Sequence, residues 1–201
     1  LFALPSLIAS LFENNDSLGR DKIVFLASVA YPYLQSELFL KYQPDEARKV
    51  INQWIDVLIE HDLLKPLDDD RIGRPEEGTE AMLRLRVLSR FIIQTVERYH
   101  IALGILRKYG SGKISAAELE EQSALLAERM SILFGLNAPE FFDKSLFRNF
   151  IANMQNNGVI TTDDNGLLCY GEGLDEGADD ARLVLSVEKR QAIQQVTMLG
   201  A

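Results

Sequence analysis

Shifted against itself by 96 residues without a gap, the sequence superimposes its apolar positions. Ile23 meets Leu119, Ala30 meets Leu126, Leu34 meets Met130 and Leu38 meets Phe134. Further on, Val50 meets Leu146, Ile51 meets Phe147, Trp54 meets Phe150, Ile55 meets Ile151 and Leu58 meets Met154. Leu63 and Leu64 meet Val159 and Ile160, and Asp68 meets Asp164. Each copy reads as helix, helix, short hairpin. Any two amphipathic helix pairs can be slid into register, but a hairpin that matches at the same offset favours a structural repeat. The offset is too long for a solenoid repeat, and two copies are too few for one. The expected fold is mainly α, with two pseudo-repeated winged-helix-like units joined by a long helix.

Apolar periodicity supplies the helices. Leu4, Leu7, Ile8, Leu11 and Phe12 predict a short helix over 4–13, with Pro5 tolerated in its first turn. Residues 13–19 read as a polar turn. A pattern over 21–42 contains Pro32, which should kink it or split it in two. Pro44 marks a new start, and Val50, Ile51, Trp54, Ile55 and Leu58 predict a helix over about 45–61. Residues 63–73 read as a hairpin or extended loop in which Pro66 can hold only an edge. The longest pattern runs over 79–109, with Thr79 as N-cap and Gly110 as stop. Ser115 and Glu118 have capping-box spacing and open a helix to about 134.

The segment 135–147 then turns the chain. Gly135 ends one helix, Pro139 delays the next, and Phe141, Phe142 and Phe147 are too apolar to be left in water. A helix over about 143–156 follows. Residues 158–170 are the best hairpin signal, with Asn165-Gly166 as turn dipeptide. Residues 171–180 are Gly- and acid-rich and read as loose. The stretch 183–196 predicts a last helix, although 183–187 would serve equally as a strand.

Charge and cysteine content exclude several functions. The 201 residues carry a net charge of −9 and a pI of about 4.8, which argues against nucleic acid or an anionic lipid surface as main partner. Cys169 is the single cysteine, so no intrachain disulfide and no cysteine-built metal site can form. No apolar run is long enough to span a membrane. The apolar segment 1–12, from Leu1 to Phe12, lacks a basic leader and reads as the end of a cut fragment whose preceding partner is missing.

No catalytic, cofactor-binding or metal-ligating residue is expected. His61 sits at a helix end, where the dipole favours an imidazolium; His100 lies in the long helix. Neither is followed by an acid in a His-x4-Asp pattern. Cys169 has no activating histidine, and no serine has nucleophile-elbow context. Asp68, Asp69 and Asp70, like Asp163 and Asp164, lack the spaced ligands of a calcium loop and read as solvated turn acids. Gly110-Ser-Gly112 is a helix break rather than a phosphate cradle. Arg84, Arg86, Arg90, Arg98 and Arg107 read by default as a solvated or salt-bridged face; a patch for an acidic acyl carrier protein is the sharper alternative.

Several segments together resemble one family. Asn137-Ala-Pro-Glu-Phe-Phe-Asp-Lys144 is similar to a segment near the C-terminus of the bacterial membrane-associated glycerol-3-phosphate acyltransferases. In the same order, Leu4-Pro-Ser-Leu-Ile-Ala9, Tyr31-Pro32 with Glu37-Leu-Phe-Leu40, Glu97-Arg98-Tyr99 and Ala127-Glu-Arg-Met130 with Gly135 resemble that family. The tail after Tyr170 matches weakly. The resemblance implies acyl transfer, from acyl carrier protein or coenzyme A, to the sn-1 position of glycerol 3-phosphate. It places the parent enzyme at the inner face of the cytoplasmic membrane. The family's catalytic His-x4-Asp motif lies upstream, and nothing here matches it.

The expectation is therefore a non-catalytic accessory region without cofactor. Residues 1–18 would belong to the end of a missing catalytic module, which the region would contact through 1–12. Residues 19–75 would form the first unit, 76–112 the connecting helix and 113–171 the second unit. Residues 172–201 would form a loose acidic loop and C-terminal helix. The alternatives are a tandem winged-helix-like module for nucleic acid, or a protein-interaction scaffold.

Overall fold

A computed structural model describes residues 2–38, 44–134 and 139–171, with positions 42, 174, 190, 191 and 195. The expectations for Gly135, for residues 136–138 and for most of 172–201 lie outside the described residues. The chain is mainly helical with small antiparallel sheets. It divides into two compact units, Leu1–Ile93 and Gln94–Ala201.

In the first unit, α1 (Ala3–Leu11) is apolar almost all round, and Leu4, Leu7, Ile8, Leu11 and Phe12 are buried. A helix apolar on every side must be enclosed; α1 packs against α2 (Arg20–Leu38) and α3 (Pro44–Glu60). α2 runs as one helix through Pro32, so of the two expectations, a kink or a split, the split does not occur. Tyr31 and Leu34, both buried, anchor it on either side of the proline. α3 begins at Pro44 and buries Val50, Ile51, Ile55 and Leu58, with Trp54 half-buried.

The expected polar turn over 13–19 holds a strand instead. β1 (Ser17–Gly19) pairs antiparallel with β3 (Arg71–Gly73), which also pairs with β2 (Lys65–Pro66). Three half-exposed residues are too few to print a period-2 pattern. The guanidinium groups of Arg71 and Arg74 hold the segment down, donating to Ser17 O (3.2 Å) and to the Asp16 carboxylate (2.7 Å). The order β1-β3-β2 leaves Pro66 on an edge, as a residue without an N–H requires.

The unit boundary falls inside α4 (Glu80–Tyr109), a single helix capped by Thr79, whose Oγ1 accepts from Met82 N at 3.2 Å. It ends at Gly110, φ +90°. The second unit continues with α5 (Ala116–Phe134), a 3-10 turn (Pro139–Phe142) and α6 (Lys144–Asn156). The capping box forms as its spacing predicts: Glu118 N donates to Ser115 Oγ at 3.3 Å and Ser115 N to Glu118 Oε2 at 2.9 Å. Phe141 and Phe147 are buried and Phe142 half-buried, so the aromatic cluster is core. The hairpin β4 (Ile160–Thr162) and β5 (Leu168–Tyr170) turns through Gly166, φ +80°, while Asn165 keeps negative φ. Asp163 N reaches Leu167 O at 2.9 Å, so the loop has three residues rather than a two-residue Asn-Gly turn.

Both units pair their strands in corresponding registers. In the first, Gly19 faces Arg71, Lys65 faces Gly73 and Pro66 faces Ile72. In the second, Ser115 faces Leu167, Thr161 faces Cys169 and Thr162 faces Leu168. Every residue of the second set is numbered 96 beyond its counterpart. Left-handed backbone at Asp62 and Asp70 corresponds in the same way to Gly158 and Gly166.

Candidate functional site

The second unit buries charge where a helix would ordinarily carry apolar side chains. Glu97 and Arg98 on α4 are 3% and 6% exposed, and buried ions need partners. Arg98 Nη2 donates to Thr95 Oγ1 at 3.0 Å, and its charge also bears on Asp143. The next residue, Tyr99, stacks on Phe150 of α6. Two segments far apart in sequence, Glu97-Arg98-Tyr99 and the stretch ending in Asp143-Lys144, thus meet in one unit.

Asp143 is the N-cap of α6. Its carboxylate accepts from Ser145 N at 2.8 Å, which holds its pKa below the usual range, with Arg98 and Arg148 adding to the shift. Arg148 in turn clamps Glu120 of α5 through Nε (2.9 Å) and Nη2 (2.8 Å). These carboxylates are occupied as caps and ion-pair partners, a positioning role.

Each residue weighed for chemistry has its own surroundings. His61 is exposed just after α3. His100 is half-buried, and burial, with Arg107 and Arg190, lowers its pKa to about 4, so the ring is neutral near pH 7. Cys169 is a half-buried free thiol in β5. In the first unit Ser89 donates to the Glu13 carboxylate and lies near Arg86 O, with no imidazole to activate the hydroxyl. Asp163 accepts from Asn165 N and Leu167 N, and Arg20 ties Asp56 (2.7 Å) beside Asp70 (4.0 Å). Asp163 thus closes its own turn. Ser111, between Gly110 and Gly112, accepts from Tyr170 N at 2.9 Å and so pins the helix break to β5. Among the described residues no cluster of His, Cys, Asp or Glu could hold a metal ion, and no helix is long and apolar enough to cross a membrane.

The arginines of α4 differ in their surroundings. Arg98 is buried, Arg84 pairs with Glu80 (2.6 Å) and Arg86 with Glu77 (2.9 Å). The same helix carries a further feature. Leu83, Val87 and Phe91 are exposed in the first unit, one every four residues. The signal was present as a second helical stripe beside the core stripe of Met82, Leu85 and Ile92.

Comparison with known proteins places these features. Residues 1–163 match the family described as the glycerol-3-phosphate acyltransferase C-terminal region. A glycerol-3-phosphate acyltransferase of Pseudomonas fluorescens Pf-5 is 43% identical over 199 residues, covering 98% of this chain and 24% of the relative. Those of Pseudomonas aeruginosa LESB58, at 43%, and Ectopseudomonas mendocina, at 41%, match with the same coverage. The chain thus spans about a quarter of the length of these relatives. No solved structure matches it.

Proposed function

Because the chain belongs to the glycerol-3-phosphate acyltransferase C-terminal region family, we propose that it is the non-catalytic accessory part of such an enzyme. The enzyme would transfer an acyl chain, from acyl carrier protein or coenzyme A, to the sn-1 position of glycerol 3-phosphate. It would work at the inner face of the cytoplasmic membrane, which this region would reach only through the rest of the polypeptide. The observation that carries the reading is the match over residues 1–163, a region confined to 24% of each relative. The chemistry agrees with it. Neither His61 nor His100 has an acid five positions on, and buried Arg98 donates to Thr95 on its own helix.

We also read the two units as pseudo-repeated winged-helix-like modules. The corresponding strand registers support this, as does the order helix, strand, helix, helix, hairpin in the first unit. In this reading the units proposed for 19–75 and 113–171 each take in the helix before them, α1 and the later turns of α4. Use of the modules on nucleic acid is disfavoured by the exposed Asp68, Asp69 and Asp70 at the tip of the first hairpin, which would face phosphates with like charge.

Acyl transfer measured with the chain alone, and with a full-length relative from which the region is deleted, tests the proposal. The expected result is no turnover by the chain and loss of activity or stability on deletion. Turnover by the chain alone overturns the non-catalytic reading. A deletion that leaves both activity and stability unchanged overturns the accessory role.

A further inference from the structure

The first unit leaves an apolar strip in water. Leu83, Val87 and Phe91 of α4 are 63%, 50% and 68% exposed. Steps of four residues turn only about 40° around a helix, so the three share one side. Phe2, 61% exposed, extends the strip: its ring stacks on Phe91, with centroids 6.1 Å apart and planes 18° from parallel. By contrast, the apolar side chains from Leu4 to Phe12 are already buried. The body of α1, expected from sequence to face a missing module, is not free to do so.

Resting on the function proposed above, we propose that Phe2, Leu83, Val87 and Phe91 form the surface on which the catalytic part of the acyltransferase polypeptide docks. Two observations select this occupant. The region accounts for 24% of each relative, so most of such a polypeptide lies outside it. The matched family is the C-terminal region of such enzymes, so the rest of the polypeptide would enter from the side of Phe2 and meet the strip at high effective concentration. Large apolar and aromatic side chains in a contiguous patch are what an interface core requires. Exposed Arg90 beside Phe91 calls for a polar or acidic rim on the docking face.

Hydroxyl-radical footprinting of a full-length acyltransferase carrying this region tests the assignment. Side-chain labelling rates are referenced to the unfolded polypeptide, with buried Phe147 as the protected standard. Phe2, Leu83, Val87 and Phe91 are expected to be protected as Phe147 is, and Phe2 and Phe91 are expected to lose that protection in the L83S/V87S variant. Labelling at unfolded rates in the parent protein overturns the surface. So does protection that appears only with anionic vesicles, which would make lipid the occupant, or only at high protein concentration, which would make it a second copy. If the strip labels freely while deletion of the region still abolishes activity, the docking surface fails and the accessory function stands. If deletion changes nothing, the function fails as well.

Discussion

Tyr99 lies flat on Phe150, ring centroids 4.1 Å apart and planes 9° from parallel, so α4 is fastened to α6 by an aromatic pair within the second unit. Tyr99 follows two buried charged residues, and Phe150 lies one turn beyond buried Phe147. A double-mutant cycle with Tyr99→Leu and Phe150→Leu should give a coupling of about 0.5–1.5 kcal/mol beyond burial, read from urea midpoints. Additive losses would show that the rings act as separate core residues.

Phe147 is 1% exposed. Phe147→Ala should cost about 3–5 kcal/mol, the range for emptying a buried aromatic site. A loss well under 1 kcal/mol in chemical denaturation would mean that the neighbouring helices close over the vacancy.

His100 sets a pH dependence whose sign follows from its environment. Burial, with the nearby Arg107 and Arg190, disfavours the imidazolium in the folded state and lowers the pKa from 6.5 to about 4. The unfolded chain therefore binds the proton first on acidification. The associated stability is fully present above pH 6.5 and is lost between there and about pH 4. The loss should be about 3 kcal/mol, and His100→Gln should flatten that part of the profile. Identical slopes for both proteins would refute the assignment.

Residue type and spacing made the larger elements legible. Thr79 and Ser115 each announced a helix start because a cap needs a short polar side chain at one position. Pro66 announced an edge because it has no N–H to share. β1 was hidden, since Ser17–Gly19 pairs through its backbone and is held by the side chain of the distant Arg71, neither of which leaves a local pattern. The continuity of α2 through Pro32 depends on how Tyr31 and Leu34 pack, which local sequence does not state. The buried pair Glu97 and Arg98 was hidden for the opposite reason: charged residues read as surface until a structure encloses them.

The caps of α5 and α6 should make the second unit sensitive to acid. Hydrogen bonds within the Ser115 box hold the Glu118 carboxyl below its ordinary pKa, and the bond from Ser145 N does the same for Asp143. Both carboxylates contribute stability that is present above the ordinary carboxylate range and lost as pH falls through their lowered folded values. Ser115→Ala should cost about 1 kcal/mol near neutral pH. Asp143→Asn should reduce the dependence of the melting temperature on pH below the carboxylate range. An unchanged acid limb would show that these caps do not control acid unfolding.

The left-handed positions after the third helix of each unit test whether the two units obey the same backbone rule. Asp62 has φ 59° and its counterpart Gly158 has φ 69°. A Cβ added at Gly158 would meet nothing within 4 Å, so only backbone strain opposes a side chain there. Gly158→Ala should cost about 1–2 kcal/mol, the penalty for an L-residue in that region. Gly158→Asp, which imports the residue of the first unit, should cost less, because a short polar side chain tolerates that conformation. Asp62→Gly relieves strain but loosens the unfolded chain, so it should move stability by less than about 1 kcal/mol either way. Thermal melts of the three variants decide the matter. Equal losses for Gly158→Ala and Gly158→Asp would mean that residue 158 does not hold the conformation that makes it equivalent to Asp62.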